Sequence, residues 1–439
     1  MPEETQTLSE NIDAAGLPSG TGLRKSVGHF IWMGGSSAFS QAFTMVYILL
    51  ITRQLNPAGF GIYSACYSAS TLTAFLFSWG LDAWLLRHAA TDAQPQRSFN
   101  TVLVIKLVLG IVWGFGVTLF FPTAQPGLYP TVIIGLTALD VWLDSICATH
   151  TNWLLAKKQV RFVSVWQLSS RGLRLLSGVL MIFLGFSFPV FFVIARLLAT
   201  GISLVFLLIT QRKVSTQITW SDIKTAFSRS VPFGLSEFLV IIYLQADVFL
   251  LSLLLGDQKV VGMYSPALSL ANALFVLPAS FYPIMMPQLA RLYEQKHPRL
   301  TRIFLYQAGL LGLLGIVLWA SIYTLSPMII QFLLGKEFLP SALLLRILSP
   351  ILMLKCINIG CSALLIAVGQ QKQRLIPQAL SALANILLNI ILIPIFKADG
   401  AAWVYVTSET VLFLSYFTLI LFWYNRYTVQ NKASFPRPG

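Results

Sequence analysis

The chain has 439 residues, 56% hydrophobic and only 10% charged, with a mean hydropathy of +0.74. Soluble domains carry charge on about a quarter of their positions, so this composition excludes an ordinary soluble protein and defines a polytopic membrane protein. A net charge of +14 does not point to nucleic acid, because no solvated domain exists to carry a basic stripe.

The first 22 residues place Glu3, Glu4, Glu10 and Asp13 among Ser, Thr and Gly. That is the composition of a short disordered tail and not of a signal peptide, so the first apolar segment is expected to insert uncleaved. A bilayer core needs about 20 apolar residues in helix, since no backbone polar group can stay unpaired in lipid. About twelve segments meet this, at roughly 27–52, 58–86, 99–121, 130–156, 162–185, 188–210, 231–255, 262–292, 303–332, 341–368, 376–395 and 401–424. The expected fold is therefore all-α, with two six-helix lobes at 23–210 and 231–425, a linker at 211–230 and a tail at 426–439. Pro266, Pro278, Pro283 and Pro287 should bend or break the eighth span.

Cations fall unevenly in the connections. About 20 Lys and Arg occupy one alternating set and 4 the other, Arg53, Lys259, Lys336 and Lys397. Positive charge accumulates on the cytoplasmic side, so an even number of spans with both termini cytoplasmic is expected. Every connection is short, leaving no room for a soluble catalytic domain. Cys66, Cys147, Cys356 and Cys361 all sit in apolar stretches and read as small packing residues. Walker, HExxH and GxSxG signatures are absent, and no metal is expected.

One stretch recurs. GFGIYSACYSAS opens the second span and VVGMYSPALSLA the eighth, matching Gly61, Tyr63 and Ser64 to Gly262, Tyr264 and Ser265. LLAKKQVRF after the fourth span is echoed by LIAVGQQKQRL after the tenth. Six spans per half give both halves the same orientation, hence parallel repeats about an axis along the membrane normal.

The string from Ile51 to Ala90, with LNPAGFGIY at its start, resembles the first hairpin of the polysaccharide and O-antigen flippases of the multidrug/oligosaccharidyl-lipid/polysaccharide (MOP) exporter superfamily. LLGKEFLPSALLLRIL and LIAVGQQKQ resemble later connections of that family. The resemblance implies a carrier for a lipid-linked oligosaccharide on undecaprenyl pyrophosphate in the bacterial cytoplasmic membrane. It further implies contact with membrane lipids and other polysaccharide assembly proteins, no cofactor, and H+ or Na+ as coupling ion. Multidrug export by a related carrier is the alternative. A polymerase or glycosyltransferase is less favoured, because it needs a sizeable outer loop.

Ionisable side chains inside spans are costly and therefore candidates for function. Asp140 and Asp144 share one face of the fourth span, and Arg171 and Arg174 share one face of the fifth. Two readings stand for these arginines: a cationic pocket for pyrophosphate, or neutralisation of the aspartates. Lys106, Arg196 and Lys355 extend the cationic set, with snorkelling the plain reading for the first two. Asp140, Asp144, Glu237 and Asp247 are the ion-coupling candidates. Asn358, Asn385 and Asn389 could bind sugar hydroxyls or bridge helices. Asp82 and Arg87 read as interfacial.

Overall fold

The structure, a computed structural model, describes residues 20–89, 95–210, 218–295, 297 and 299–434. The expected N-terminal tail lies outside these up to residue 19, as do residues 211–217 of the linker and 435–439 of the C-terminal tail.

The described chain is helical throughout, apart from short connections. Helix α1 spans Gly20–Gln54, entering the expected tail, and is followed by α2 (Pro57–Thr73), α3 (Phe75–Ser78) and α4 (Leu81–His88). Long rods follow as α5 (Pro95–Ala124), α6 (Thr131–Ala156), α7 (Val160–Phe183) and α8 (Pro189–Thr210). The second half opens with α9 (Trp220–Leu255), then α10 (Gln258–Leu274), α11 (Val276–Ala279) and α12 (Tyr282–Glu294). It ends with α13 (Leu300–Leu333), α14 (Ser341–Leu348), α15 (Pro350–Ala367) and α16 (Leu375–Ser434). Lys397 is non-helical (φ 52°, ψ −129°) and folds α16 into two arms, which Ser381 ties together by donating to the Ser408 carbonyl at 2.8 Å.

Among the described residues, eight helices are long and apolar enough to cross a membrane, the last being the two-armed Leu375–Asn425. With α1, α7 and the broken rod α10–α12, and with the two arms of α16 counted separately, this makes twelve rods. Their outer faces are apolar: Val108, Ile111, Val112, Phe115 and Leu119 form an exposed stripe along α5. Such a stripe is unfavourable in water and suits lipid. The four cysteines are buried and free, as packing residues.

The second span is not the continuous rod expected. It breaks at Ala74 and again at Trp79 and Gly80, both left-handed (φ 40° and 69°). A side chain on Gly80 would collide with the backbone of Gly234 on α9, so this turn needs a glycine for contact as well as for conformation. The eighth span breaks as its prolines predict. The breaks correspond: α2, α3 and the start of α4 map onto α10, α11 and the start of α12 at a constant offset of 201 residues. Even the caps correspond. The Asn56 side chain accepts from the Gly59 amide at 2.9 Å, and Asp257, 201 positions on, accepts from Lys259 and Val260.

The linker's last residues are ordered by a capping box, in which Thr219 and Asp222 satisfy each other's backbone amides before α9 runs on unbroken through Pro232.

Candidate functional site

A cavity of about 1040 Å³ lies between the halves, walled by α1, α2, α6, α7 and α8 from the first and α9 to α11 from the second. One end is shut where α2 crosses α10. Gly61 and Gly262 allow this crossing: a Cβ on the first would strike the Gln258 carbonyl, and a Cβ on the second the Pro57 carbonyl. Just beyond, the Ser64 and Ser265 hydroxyls meet at 2.9 Å. The connection after α5 reinforces the seal, with Gln125 donating to the Leu253 carbonyl, Gln258 to the Gly127 carbonyl and Tyr129 paired with Ser252.

The charged groups form three clusters, of which only the first reaches the cavity with its cations. Asp140 is fully buried and takes the Arg196 Nε at 2.8 Å, the Thr200 hydroxyl at 2.6 Å and the Tyr67 hydroxyl at 3.1 Å. Arg196 lies over the Tyr67 ring and lines the cavity, so it does not snorkel. One turn along α6, Asp144 takes Arg174 at 2.5 Å. Asp144 lines the cavity with 35% of its side chain exposed, whereas Arg174 is buried behind it with Nε and one Nη unpartnered. Arg171 lines the cavity half-buried and has no carboxylate within ion-pairing distance among the described residues. Three cations against two acids leave this cluster one positive charge in excess, carried by Arg171.

Lys106 is placed elsewhere. Its fully buried ammonium has three partners for three protons: Asp82 at 2.7 Å, the Ser145 carbonyl at 3.0 Å and the Thr149 hydroxyl at 3.0 Å. Snorkelling is thereby corrected for Lys106, and Asp82 is an internal counter-ion and not an interfacial acid.

Lys355 belongs to the third cluster, inside the second half. It donates to Asn272 at 2.6 Å and Tyr405 at 2.9 Å and stands 3.6 Å from Glu409. Glu409 also accepts from Tyr243 and from Asn358, the latter at 2.9 Å, beside a side pocket of about 140 Å³. Asn358 is thus a bridge to the last arm. The two halves carry equivalent pairs with the charges exchanged: acid on the fourth rod and cation on the sixth in the first half, cation on the tenth and acid on the twelfth in the second.

Asn385 and Asn389 likewise bridge. Both donate to Asp247 Oδ1, at 2.8 and 2.6 Å, and Asp247 Oδ2 is buried without a partner. None of the three asparagines lines the main cavity. Glu237 lies against the Gly80 amide, so it and Asp247 do not form a joint site despite sharing a helix. Asn272 and Tyr67, which tie the ion pairs to the cavity wall, were not singled out by sequence; their signal is position, within the repeated second and eighth spans.

Two apolar-jacketed helical halves, shut at one end around a polar cavity, define the architecture of an alternating-access membrane carrier. The chain belongs to the polysaccharide biosynthesis protein family, whose model matches residues 50–343, in agreement with the resemblance read from LNPAGFGIY. No curated protein is matched by sequence. Among solved structures, the fold is similar to an inward-facing multidrug resistance MATE family transporter of the MOP superfamily, at TM-score 0.68 and 15% identity, covering 90% of this chain and 96% of that one. It is equally similar to the lipid II flippase MurJ in an inward closed conformation, at TM-score 0.68 and 15% identity, covering 93% and 94%. An outward-facing MATE transporter of the MOP superfamily aligns at TM-score 0.54 and 15% identity, covering 92% and 97%.

Proposed function

We propose that this protein is a flippase that moves a lipid-linked oligosaccharide, joined through pyrophosphate to undecaprenol, across the bacterial cytoplasmic membrane by alternating access. The observation that carries the reading is Arg171: a guanidinium in no ion pair among the described residues, on a cavity wall whose other charges, Asp144 and Arg196, are already paired. A planar fork of donors suits phosphate oxygens. Family membership in polysaccharide biosynthesis supports the cargo class, and the lipid II flippase among the structural neighbours supports the chemistry of a pyrophosphate-linked lipid.

The sealed end lies opposite the cation-rich connections. With those connections cytoplasmic, the cavity faces the cytoplasm, where such lipids are assembled; the higher score against the inward-facing transporter supports that orientation. The lipid tail stays in the bilayer beside the gap between halves, and the delivered glycan passes to polysaccharide assembly proteins. Coupling to H+ or Na+ completes the proposal, with Asp247 the favoured acid because one of its buried oxygens has no partner. Asp140 and Asp144 are committed to arginines.

Multidrug export is favoured by the multidrug transporters among the neighbours. An organic cation in this cavity would face Arg171 and meet no free acid, so the flippase reading is preferred. Deleting the gene tests it: undecaprenyl-linked oligosaccharides should accumulate on the cytoplasmic face. A normal distribution across both faces would sink the proposal.

A further inference from the structure

The fixed charges on the cavity wall are confined to one side. Asp144, Arg171 and Arg196 all come from the first half, and the wall built by α9, α10 and α11 carries no ionisable acid or base. Once the Asp140–Arg196 and Asp144–Arg174 pairs are formed, Arg171 is, among the described residues lining the cavity, the single cation left to neutralise a guest. On the flippase reading, the pyrophosphate takes it.

What remains for the glycan is a neutral lining. Gln41 on α1, Gln167 on α7 and Gln245 on α9 all line the cavity, and none of their side-chain amides has a hydrogen-bond partner among the described residues; Gln245 uses only its backbone carbonyl, which accepts from Ser68 at 3.1 Å. Each amide offers a donor edge and an acceptor edge, which matches a sugar hydroxyl and cannot neutralise a carboxylate. Asp144 adds an acceptor: its Oδ1 is held by Arg174, while Oδ2 has no protein partner among the described residues. A hydroxyl can donate to that oxygen, but a second carboxylate facing it would be repelled. An acidic sugar would therefore lose its hydration without gaining a counter-ion, a cost that a neutral sugar avoids.

We infer that the cavity selects an uncharged glycan, its hydroxyls read by Gln41, Gln167, Gln245 and Asp144, and discriminates against uronic and other acidic sugars. This rests on the flippase reading, and the test separates the two. The probes are two undecaprenyl-pyrophosphate oligosaccharides identical except that a terminal glucose in one is glucuronate in the other, competing for the full-length protein in detergent. The neutral lipid should bind tighter by about tenfold or more, and Gln245→Lys, which adds a cation to the uncharged wall, should narrow that gap. Equal binding, a preference for the acidic lipid, or a preference that Gln245→Lys leaves unmoved overturns the inference while the flippase reading stands. Failure of both lipids to bind overturns both.

Discussion

Ser64 and Ser265, 201 positions apart in the chain, join hydroxyls 2.9 Å apart where α2 crosses α10. Each sits three residues after a glycine whose hydrogen is all the facing backbone permits, and each helix begins on a side-chain cap at the same offset. The repeated motif thus builds both sides of one contact. Its cap starts the helix, its glycine sets the approach, and its serine meets its own counterpart near the axis relating the halves. For a carrier that rocks its halves, this contact must part when the sealed end opens.

Joining the two serines covalently should stop that motion. With the oxygens already in hydrogen-bond contact, a Ser64→Cys/Ser265→Cys pair is placed to close a disulfide; of the four buried native cysteines Cys147 borders the cavity and is replaced by Ser in the test. Oxidation is expected to give a cross-linked protein that retains cargo binding but no longer transports in proteoliposomes, with activity restored by reduction. Full transport by the cross-linked form would show that this end does not open.

The glycine beneath offers an independent check. Gly61→Val forces a side chain against the Gln258 carbonyl, which is backbone and cannot rotate away. Separation of the helices should cost about 1–3 kcal/mol of stability in the sealed state. Adding Gly61→Val to the cysteine pair should therefore lower cross-link yield sharply; unchanged yield would mean the crossing tolerates the side chain.

Arg171 and Arg174 should respond differently. Arg171→Ala removes a charge that is in no ion pair among the described residues, while Arg174 still holds Asp144, so protein abundance should hold while cargo affinity falls by about ten- to a hundredfold, the equivalent of roughly 1.5–3 kcal/mol for a charge-assisted contact. Arg171→Lys should recover part of this, as a point charge without the fork. Titration with the undecaprenyl-pyrophosphate lipid checks both, and wild-type affinity in Arg171→Ala would remove it from the site.

Breaking the Asp144–Arg174 pair is a question of stability first. Asp144→Ala strands a buried guanidinium that already has two unpartnered nitrogens, at a cost of about 3–5 kcal/mol. The double variant Asp144→Ala/Arg174→Met removes both charges and should regain most of the lost thermal stability. If the double variant is no more stable than Asp144→Ala alone, the pair is not what holds α6 to α7.

The sequence showed the twelve rods and their repeat because lipid imposes a length and an apolar composition on each rod, and LNPAGFGIY and its echo mark the matching entrances. It showed which charges are buried but not how they pair. Arg171 and Arg174 share a helical face at the level of spacing, yet a modest rotation puts one in the cavity and the other behind Asp144. Lys355 finds Glu409 across 54 positions and Lys106 finds Asp82 on the preceding rod, contacts fixed by tertiary packing. The break at Trp79 and Gly80 was hidden for a related reason: no proline announces it, and the glycine's need comes from Gly234 on another rod.

The start of α9 carries the last prediction, a dependence on pH. Asp222 is held below the usual aspartate range, first by the Thr219 backbone amide, then by the Thr219 hydroxyl and by Arg97, whose Nη2 is 2.7 Å away on the first half. A lowered carboxyl pKa means the contribution to stability is complete above the ordinary aspartate value of about 4 and is lost as pH falls through the lowered one. Above that range the box and ion pair together should protect the first turn of α9 by about 1 kcal/mol. Hydrogen exchange reads this at the Thr219 amide, which donates to the carboxylate, and at the amides of residues 222–224 in the turn it caps. Asp222→Ala should exchange faster than wild type at neutral pH, and the difference should shrink as the wild-type carboxyl is protonated. Equal exchange at neutral pH would show that neither the cap nor Arg97 holds this end of the helix.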